Sequence, residues 1–285
     1  MAGIIQWQNM AGPFGAELSG VDVRSLDPAA LLQASADRQL LVIRGQRFTP
    51  GELQDFAATL GALDVYPYAE PLPGFPHVVP IVKNPGDTAN FGGDWHSDTA
   101  YLERPPGLTL LYAVQIPGSG GDTLFADMYG AYAALSPTLR RWLDTLVGHN
   151  VSGMVHDTSG AHASVVGEGT RLRAAEASAG DHPVVRVHPV TGRPALYVSL
   201  IHTERFVGMT REESLPMITF LQEYAVRPER CVRLAWQPGT LAIWDNRSLQ
   251  HYPLNDYPGQ RREMHRVILQ GERPVPCALF FTEWR

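Results

Sequence analysis

Apolar runs in this chain are short, and almost all of them end at proline or glycine. The segments 39–44 (QLLVIR), 108–114 (LTLLYAV), 183–188 (PVVRVH), 195–200, 231–236, 241–244 and 264–269 each read as a strand between turn signals. The 27 Gly and 23 Pro among 285 residues supply the punctuation. Many short strands of this kind bury their apolar surface by stacking, so the pattern predicts a mainly β fold with flanking helices, a sandwich or a jelly roll. Helices are expected at 27–36, where Asp27 caps and Pro28 takes the first position, and at 49–60, where Thr49 and Glu52 have capping-box spacing. Three more are expected at 126–135, at 137–146 behind Ser136, and at 212–226. No linker-like stretch interrupts the chain, so 1–285 reads as a single domain. The small, polar, Gly-rich segment 152–181 is either a lid over a site or a surface insertion.

Composition excludes several classes. A net charge of −6 argues against a nucleic-acid binder, which presents a basic face. No stretch approaches the ~20 apolar residues that cross a bilayer, and 1–15 has no Lys or Arg and no long apolar run, so neither membrane nor secretion is expected. Cys231 and Cys277, the only two cysteines, are too few for a disulfide framework and read as reduced thiols of a cytoplasmic protein.

The densest chemical signal is Asp94-Trp95-His96-Ser97-Asp98-Thr99. If this stretch is extended, His96 and Asp98 point to one face, roughly 6.5–7 Å apart at Cα, and can converge on one ion. One histidine and one carboxylate are an incomplete site. A second histidine would complete a facial triad with open positions, which suits non-haem Fe(II). His251 follows the Trp244-Asp245-Asn246-Arg247 stretch, and Arg262 and Arg266 then share one face of a strand with Met264 and Ile268. Two arginines on a mostly apolar face need anionic partners, and a planar guanidinium suits a carboxylate.

Taken together, His96-Ser97-Asp98, Gly120-Gly121-Asp122-Thr123, Trp244-Asp245-Asn246-Arg247, His251 and Arg262 with Arg266 resemble the taurine/2,4-D dioxygenase family of Fe(II)/2-oxoglutarate-dependent dioxygenases. The likeness starts at 15–22 (GAELSGVD), passes through 44–46 and runs over nearly the whole chain. It implies a double-stranded β-helix (jelly-roll) core, with His96, Asp98 and His251 as ligands of Fe(II). It implies Arg262 and Thr123 for the distal carboxylate of the cosubstrate 2-oxoglutarate, and Arg266 for an anionic group of substrate or cosubstrate. Trp244 falls close to the cosubstrate, with a plain core role as the alternative. The implied reaction consumes O2, converts 2-oxoglutarate to succinate and CO2, and hydroxylates an aliphatic C–H of a small molecule. The 152–181 segment corresponds to the family's variable lid, and relatives are commonly homo-oligomers.

Substrate readings stay open at several positions. Tyr66, Tyr101 and His202 correspond to places that line the substrate pocket in relatives. The rival reading is rim packing for the tyrosines and a plain loop residue for His202. The histidine and asparagine that hold taurine in the taurine enzymes are replaced by Leu63 and Gly92, so taurine is disfavoured. Arg266 still favours a small anion: a carboxylate, an aryloxyalkanoate or a sulfonate. Alternatives are a tailoring oxygenase of a larger natural product, a non-catalytic metal-binding protein, and a hydrolytic zinc enzyme. The last would have no use for Arg262. His182 and His188 read as structural, and His265, on the strand face opposite the two arginines, is not expected to be a ligand.

Overall fold

The computed structural model of the protein describes residues 6–152, 170 and 178–277, so most of 152–181 lies outside the described residues. Seven strands form the larger sheet, in the spatial order Gln8–Asn9, Ala16–Leu18, Leu40–Ile43, Leu241–Asp245, Leu108–Gln115, Arg262–Ile268, Val79–Lys83. Neighbours are antiparallel except Ala16–Leu18 beside Leu40–Ile43, which run parallel. A three-stranded sheet, Cys231–Leu234, Thr123–Asp127 and Leu249–Pro253, packs on it. Leu40, Val42, Leu111, Ala242 and Met264 from the first sheet meet Phe125, Val232, Leu234 and Leu249 from the second in one apolar layer. This is the double-stranded β-helix architecture.

The continuous apolar character of 39–44 follows from burial on both faces. Leu40 and Val42 point between the sheets, while Leu41 and Ile43 point outward into a cluster with Leu31, Leu53, Phe56 and Leu60. Those last four belong to the helices Pro28–Arg38 and Pro50–Leu60. Both helices start as expected: Asp27 accepts from the Ala29 N–H, and Thr49 and Glu52 close a capping box. Thr210 and Glu213 close a second box, which opens the helix Arg211–Ala225. The helix Pro137–Leu143 starts behind Ser136.

The structure departs from the expected elements in five places. The 126–135 segment begins as the strand Thr123–Asp127, because Cys231–Leu234 and Leu249–Pro253 bond it on both sides, and only Met128–Ala133 is helical. The 183–188 strand splits at Val184: Ala179–Pro183 pairs with Val147–Val151, and Val185–Val187 pairs with Pro194–Leu196. Only Pro194–Leu196 of the 195–200 strand forms. Val79–Lys83 and Leu249–Pro253 were not anticipated. Among the described residues, no helix is long and apolar enough to cross a membrane.

Candidate active site

His96 and His251 are partners in an isolated antiparallel bridge, each main-chain N–H donating to the other's carbonyl at 3.1 and 2.8 Å. The Ser97 hydroxyl fastens the same junction by donating to the Leu249 carbonyl at 2.8 Å. The 94–99 stretch is therefore not a strand. It makes one bridge and then turns, with Thr99 at a φ of +40°. That is a strained conformation for a β-branched residue. His96 is held by the bridge, Asp98 opens the turn two residues later, and the two side chains meet His251 at one centre.

The His96 Nδ1 lies 2.6 Å from the Asp94 carbonyl, which can only accept, so Nδ1 carries a proton and Nε2 is the nitrogen left to take a ligand. The Nε2 atoms of His96 and His251 lie 3.8 and 4.0 Å from Asp98 Oδ1. One ligand atom from each of the three buried side chains lies within 4.8 Å of the others, a set that could hold a metal ion. Burial pushes the Asp98 carboxyl up, but Arg266, His251, His96 and the Thr109 hydroxyl outweigh it and hold it at about 2. Burial, then the neighbouring His96, pushes His251 down to about 3. An ionised Asp98 and a neutral His251 are the protonation states a metal requires.

A cavity beside the triad is lined by Thr123, Trp244, Arg262 and Arg266, with Leu111, Phe91 and Gly92 completing the wall. Arg262 is buried under the Trp236 ring at 5.7 Å, and its Nε and NH2 groups find no hydrogen-bond partner among the described residues. Arg266 is held between Tyr66 at 4.0 Å and Phe91 at 5.4 Å. Its NH1 lies 3.4 Å from Asp98 Oδ1, and its Nε and NH2 likewise lack a partner among the described residues. A buried guanidinium with unpartnered donors can take up an anion, and its planar fork suits a carboxylate. Thr123 accepts from the Trp236 indole N–H at 2.9 Å, so its own hydroxyl proton remains to donate.

The remaining candidates continue from Arg266 as a chain of rings. Tyr66 meets Tyr68 at 5.6 Å, Tyr68 meets Tyr101 at 5.7 Å, Tyr101 meets His202 at 5.0 Å, and His202 meets His96 at 6.0 Å. All ten sequence candidates thus lie around one centre. Leu63 does not: it bridges Leu269 and packs on the outer cluster. Gly92 lies against the His96 ring, where an added Cβ would sit 2.9 Å from its Cε1. His265 turns away toward Glu263, His182 bonds the Leu102 carbonyl at 2.7 Å, and His188 bonds Asp245 at 2.9 Å.

Two residues escaped the sequence reading. The Thr109 hydroxyl donates to Asp98 Oδ2 at 2.6 Å, and Asn246 bonds both Thr109 and the Asp98 main chain. A polar residue alone in an apolar strand was the available signal for Thr109.

A jelly roll holding two histidines and a carboxylate beside two buried arginines defines a metal-dependent enzyme of 2-oxo acid chemistry. The profile of the Taurine catabolism dioxygenase TauD, TfdA family matches residues 7–268, and the chain belongs to that family. It is 33% identical to an alkylsulfatase of Acinetobacter baylyi (94% of this chain, 86% of that one). It is also 33% identical to an alpha-ketoglutarate-dependent sulfate ester dioxygenase of Pseudomonas putida (93% and 89%). The crystal structure of a taurine dioxygenase from Burkholderia xenovorans superposes with a TM-score of 0.78 at 32% identity, covering 95% of this chain and 93% of that one. The protein is therefore an Fe(II)- and 2-oxoglutarate-dependent dioxygenase acting on a small molecule.

Proposed function

We propose that His96, Asp98 and His251 hold the Fe(II), that Arg262 and Thr123 receive the distal carboxylate of 2-oxoglutarate with Trp244 alongside, and that Arg266 binds the anionic group of a small substrate. Bound Fe(II) with 2-oxoglutarate supplies the activation of O2 that hydroxylates an aliphatic carbon, with succinate and CO2 as co-products. The chain's own residues position and exclude water: Asp98 stays ionised, His96 turns Nε2 to the site with Nδ1 held by the Asp94 carbonyl, and the rings of Tyr66, Tyr101 and His202 line the approach. The observation that carries this reading is the pair of buried, incompletely partnered guanidinium groups beside the triad.

The relatives' names add organic sulfate esters to the carboxylates, aryloxyalkanoates and sulfonates that Arg266 favours. Taurine stays disfavoured, because Leu63 faces the outer core and Gly92 offers no side chain. If the oxidised carbon carries the sulfate or aryloxy oxygen, the hemiacetal-like product collapses and the C–O bond breaks. Cys231 and Cys277 are thiols and not a disulfide, which suits a cytoplasmic enzyme.

The test is succinate formation across alkyl sulfates, sulfonates, aryloxy acids and simple carboxylates. Anaerobic Fe(II) and 2-oxoglutarate should also give a weak visible charge-transfer band that His96→Ala abolishes. A band persisting in His96→Ala rejects the ligand assignment. Turnover of neutral substrates only rejects the role of Arg266.

A further inference from the structure

The polar groups behind Asp98 form a chain in which each donor and acceptor is forced by the one before. The Trp244 indole N–H can only donate, and it lies 3.0 Å from the Asn246 side-chain oxygen. That contact fixes the Asn246 amide, whose oxygen also accepts from the Asp98 main-chain N–H at 3.2 Å. Its NH2 group therefore faces Thr109 and donates to the hydroxyl oxygen at 2.8 Å. With that lone pair engaged, the hydroxyl proton of Thr109 points at Asp98 Oδ2, 2.6 Å away. Thr109 is fully buried and Asn246 nearly so, and water does not compete for either. The two carboxylate oxygens are thus unequal. Oδ2 is occupied by the hydroxyl, and Oδ1 faces the Nε2 atoms of both histidines and Arg266 NH1.

We infer that Thr109 and Asn246 are positioning residues that present Asp98 Oδ1 alone to the metal, with Trp244 setting the orientation of the relay from the cosubstrate cavity. This rests on the proposed His96, Asp98 and His251 ligand set. Ligands oriented by outer hydrogen bonds lose about 10–100-fold in metal affinity when those bonds are removed. With Oδ2 released, the carboxylate can rotate or chelate through both oxygens.

Co(II) titration of the full chain without 2-oxoglutarate, followed by visible absorption, tests the inference. Thr109→Val keeps the shape and removes the hydroxyl. It should bind Co(II) about 10–100-fold more weakly and with an altered spectrum, and Thr109→Ser should return the affinity to within several-fold of the parent. Trp244→Phe would remove the indole N–H that orients Asn246 together with ring area packed on His251, so the second variant is Thr109→Ala, which should show the loss expected of Thr109→Val. Folded Thr109→Val with parental affinity and spectrum overturns the inference. So does a loss that Thr109→Ser does not recover. If Thr109→Val does not fold, Thr109→Ala decides: parental affinity overturns the relay, and a loss that Thr109→Ser recovers supports it. Failure of the parent protein itself to bind Co(II) overturns the ligand set, a separate result from failure of the relay.

Discussion

The His96 and His251 main chains exchange two hydrogen bonds, and their imidazoles stand 4.2 Å apart between ring centres. Ligand spacing is therefore set by backbone, with Ser97 tying the same junction to Leu249. Truncating one imidazole leaves those bonds intact. His251→Ala is expected to fold with a melting temperature lowered by the cavity it leaves against Phe125 and Trp244, a cost of about 2–3 kcal/mol. Fe(II) should raise the melting temperature of the parent, because it binds the native state only, and should not raise that of the variant. Thermal scans with and without anaerobic Fe(II) check this; a metal-induced rise in His251→Ala would show that the ion sits elsewhere.

Arg262 places a cation in the core with two donor groups lacking protein partners. Burial lowers its pKa, while Tyr257 and Asp122 favour the charge. Before 2-oxoglutarate arrives, this arrangement costs stability. Arg262→Met is therefore expected to stabilise the cosubstrate-free protein by about 1–3 kcal/mol, in line with apolar replacement of buried ions. The same change should weaken 2-oxoglutarate binding by roughly 100-fold, because a charge-assisted contact is lost. Urea denaturation and titration of the charge-transfer band measure the two effects. A variant that is less stable and binds 2-oxoglutarate normally would place the arginine in a purely structural role.

Legibility differed by link in the chain of inference. His96 and Asp98 stood out because two metal-competent residues two apart are locally visible, although the stretch forms a single bridge at His96 and then a turn instead of the expected strand. The strand that carries His251 was hidden. Leu249–Pro253 reads LQHYP, with polar residues and a closing proline, because Gln250 is buried with its amide donating to the Val198 carbonyl and accepting from Gln222. A fully bonded interior glutamine has the same sequence appearance as a loop residue. Arg262 and Arg266 were legible because their strand has an apolar face, and cations on such a face require explanation. The Thr109–Asn246 relay was not, since it joins positions 137 apart through side-chain geometry alone.

Gly92 supplies a close approach that no other residue can copy. Its φ is +71°, and a Cβ there would lie 2.9 Å from His96 Cε1 and 3.3 Å from Nε2. Gly92→Ala must therefore pay about 1 kcal/mol for the left-handed backbone and also displace the ring that holds Nε2 toward the site. The expected result is a melting temperature lower by a few degrees and Fe(II) affinity reduced about 10-fold. Calorimetric titration with Fe(II) under anaerobic conditions reads the second effect. Unchanged affinity would mean that the His96 ring has room to move without leaving its ligating position.

Acid sensitivity of the metal-free fold should come partly from His182. Burial lowers its pKa, the Leu102 carbonyl accepting from Nε2 opposes that, and Arg186 and Arg273 add to the lowering while Asp181 resists it. The Tyr197 ring packs 6.2 Å from it. With the folded pKa below the unfolded value near 6.5, the unfolded chain takes up the proton first as pH falls. His182 thus contributes full stability above pH ~6.5 and loses it progressively below, by at most about 1.4 kcal/mol per pH unit, until the folded-state pKa is passed. Asp98 and Asp245, both held at about 2, lose their contribution only lower, as pH falls from ~4 through the folded values. His182→Gln keeps a donor for the Leu102 carbonyl but cannot titrate. Its urea midpoint should fall less than the parent's between pH 7 and pH 5, and the two should fall in parallel below pH 4. Equal slopes between pH 7 and pH 5 would show that His182 does not drive the acid response.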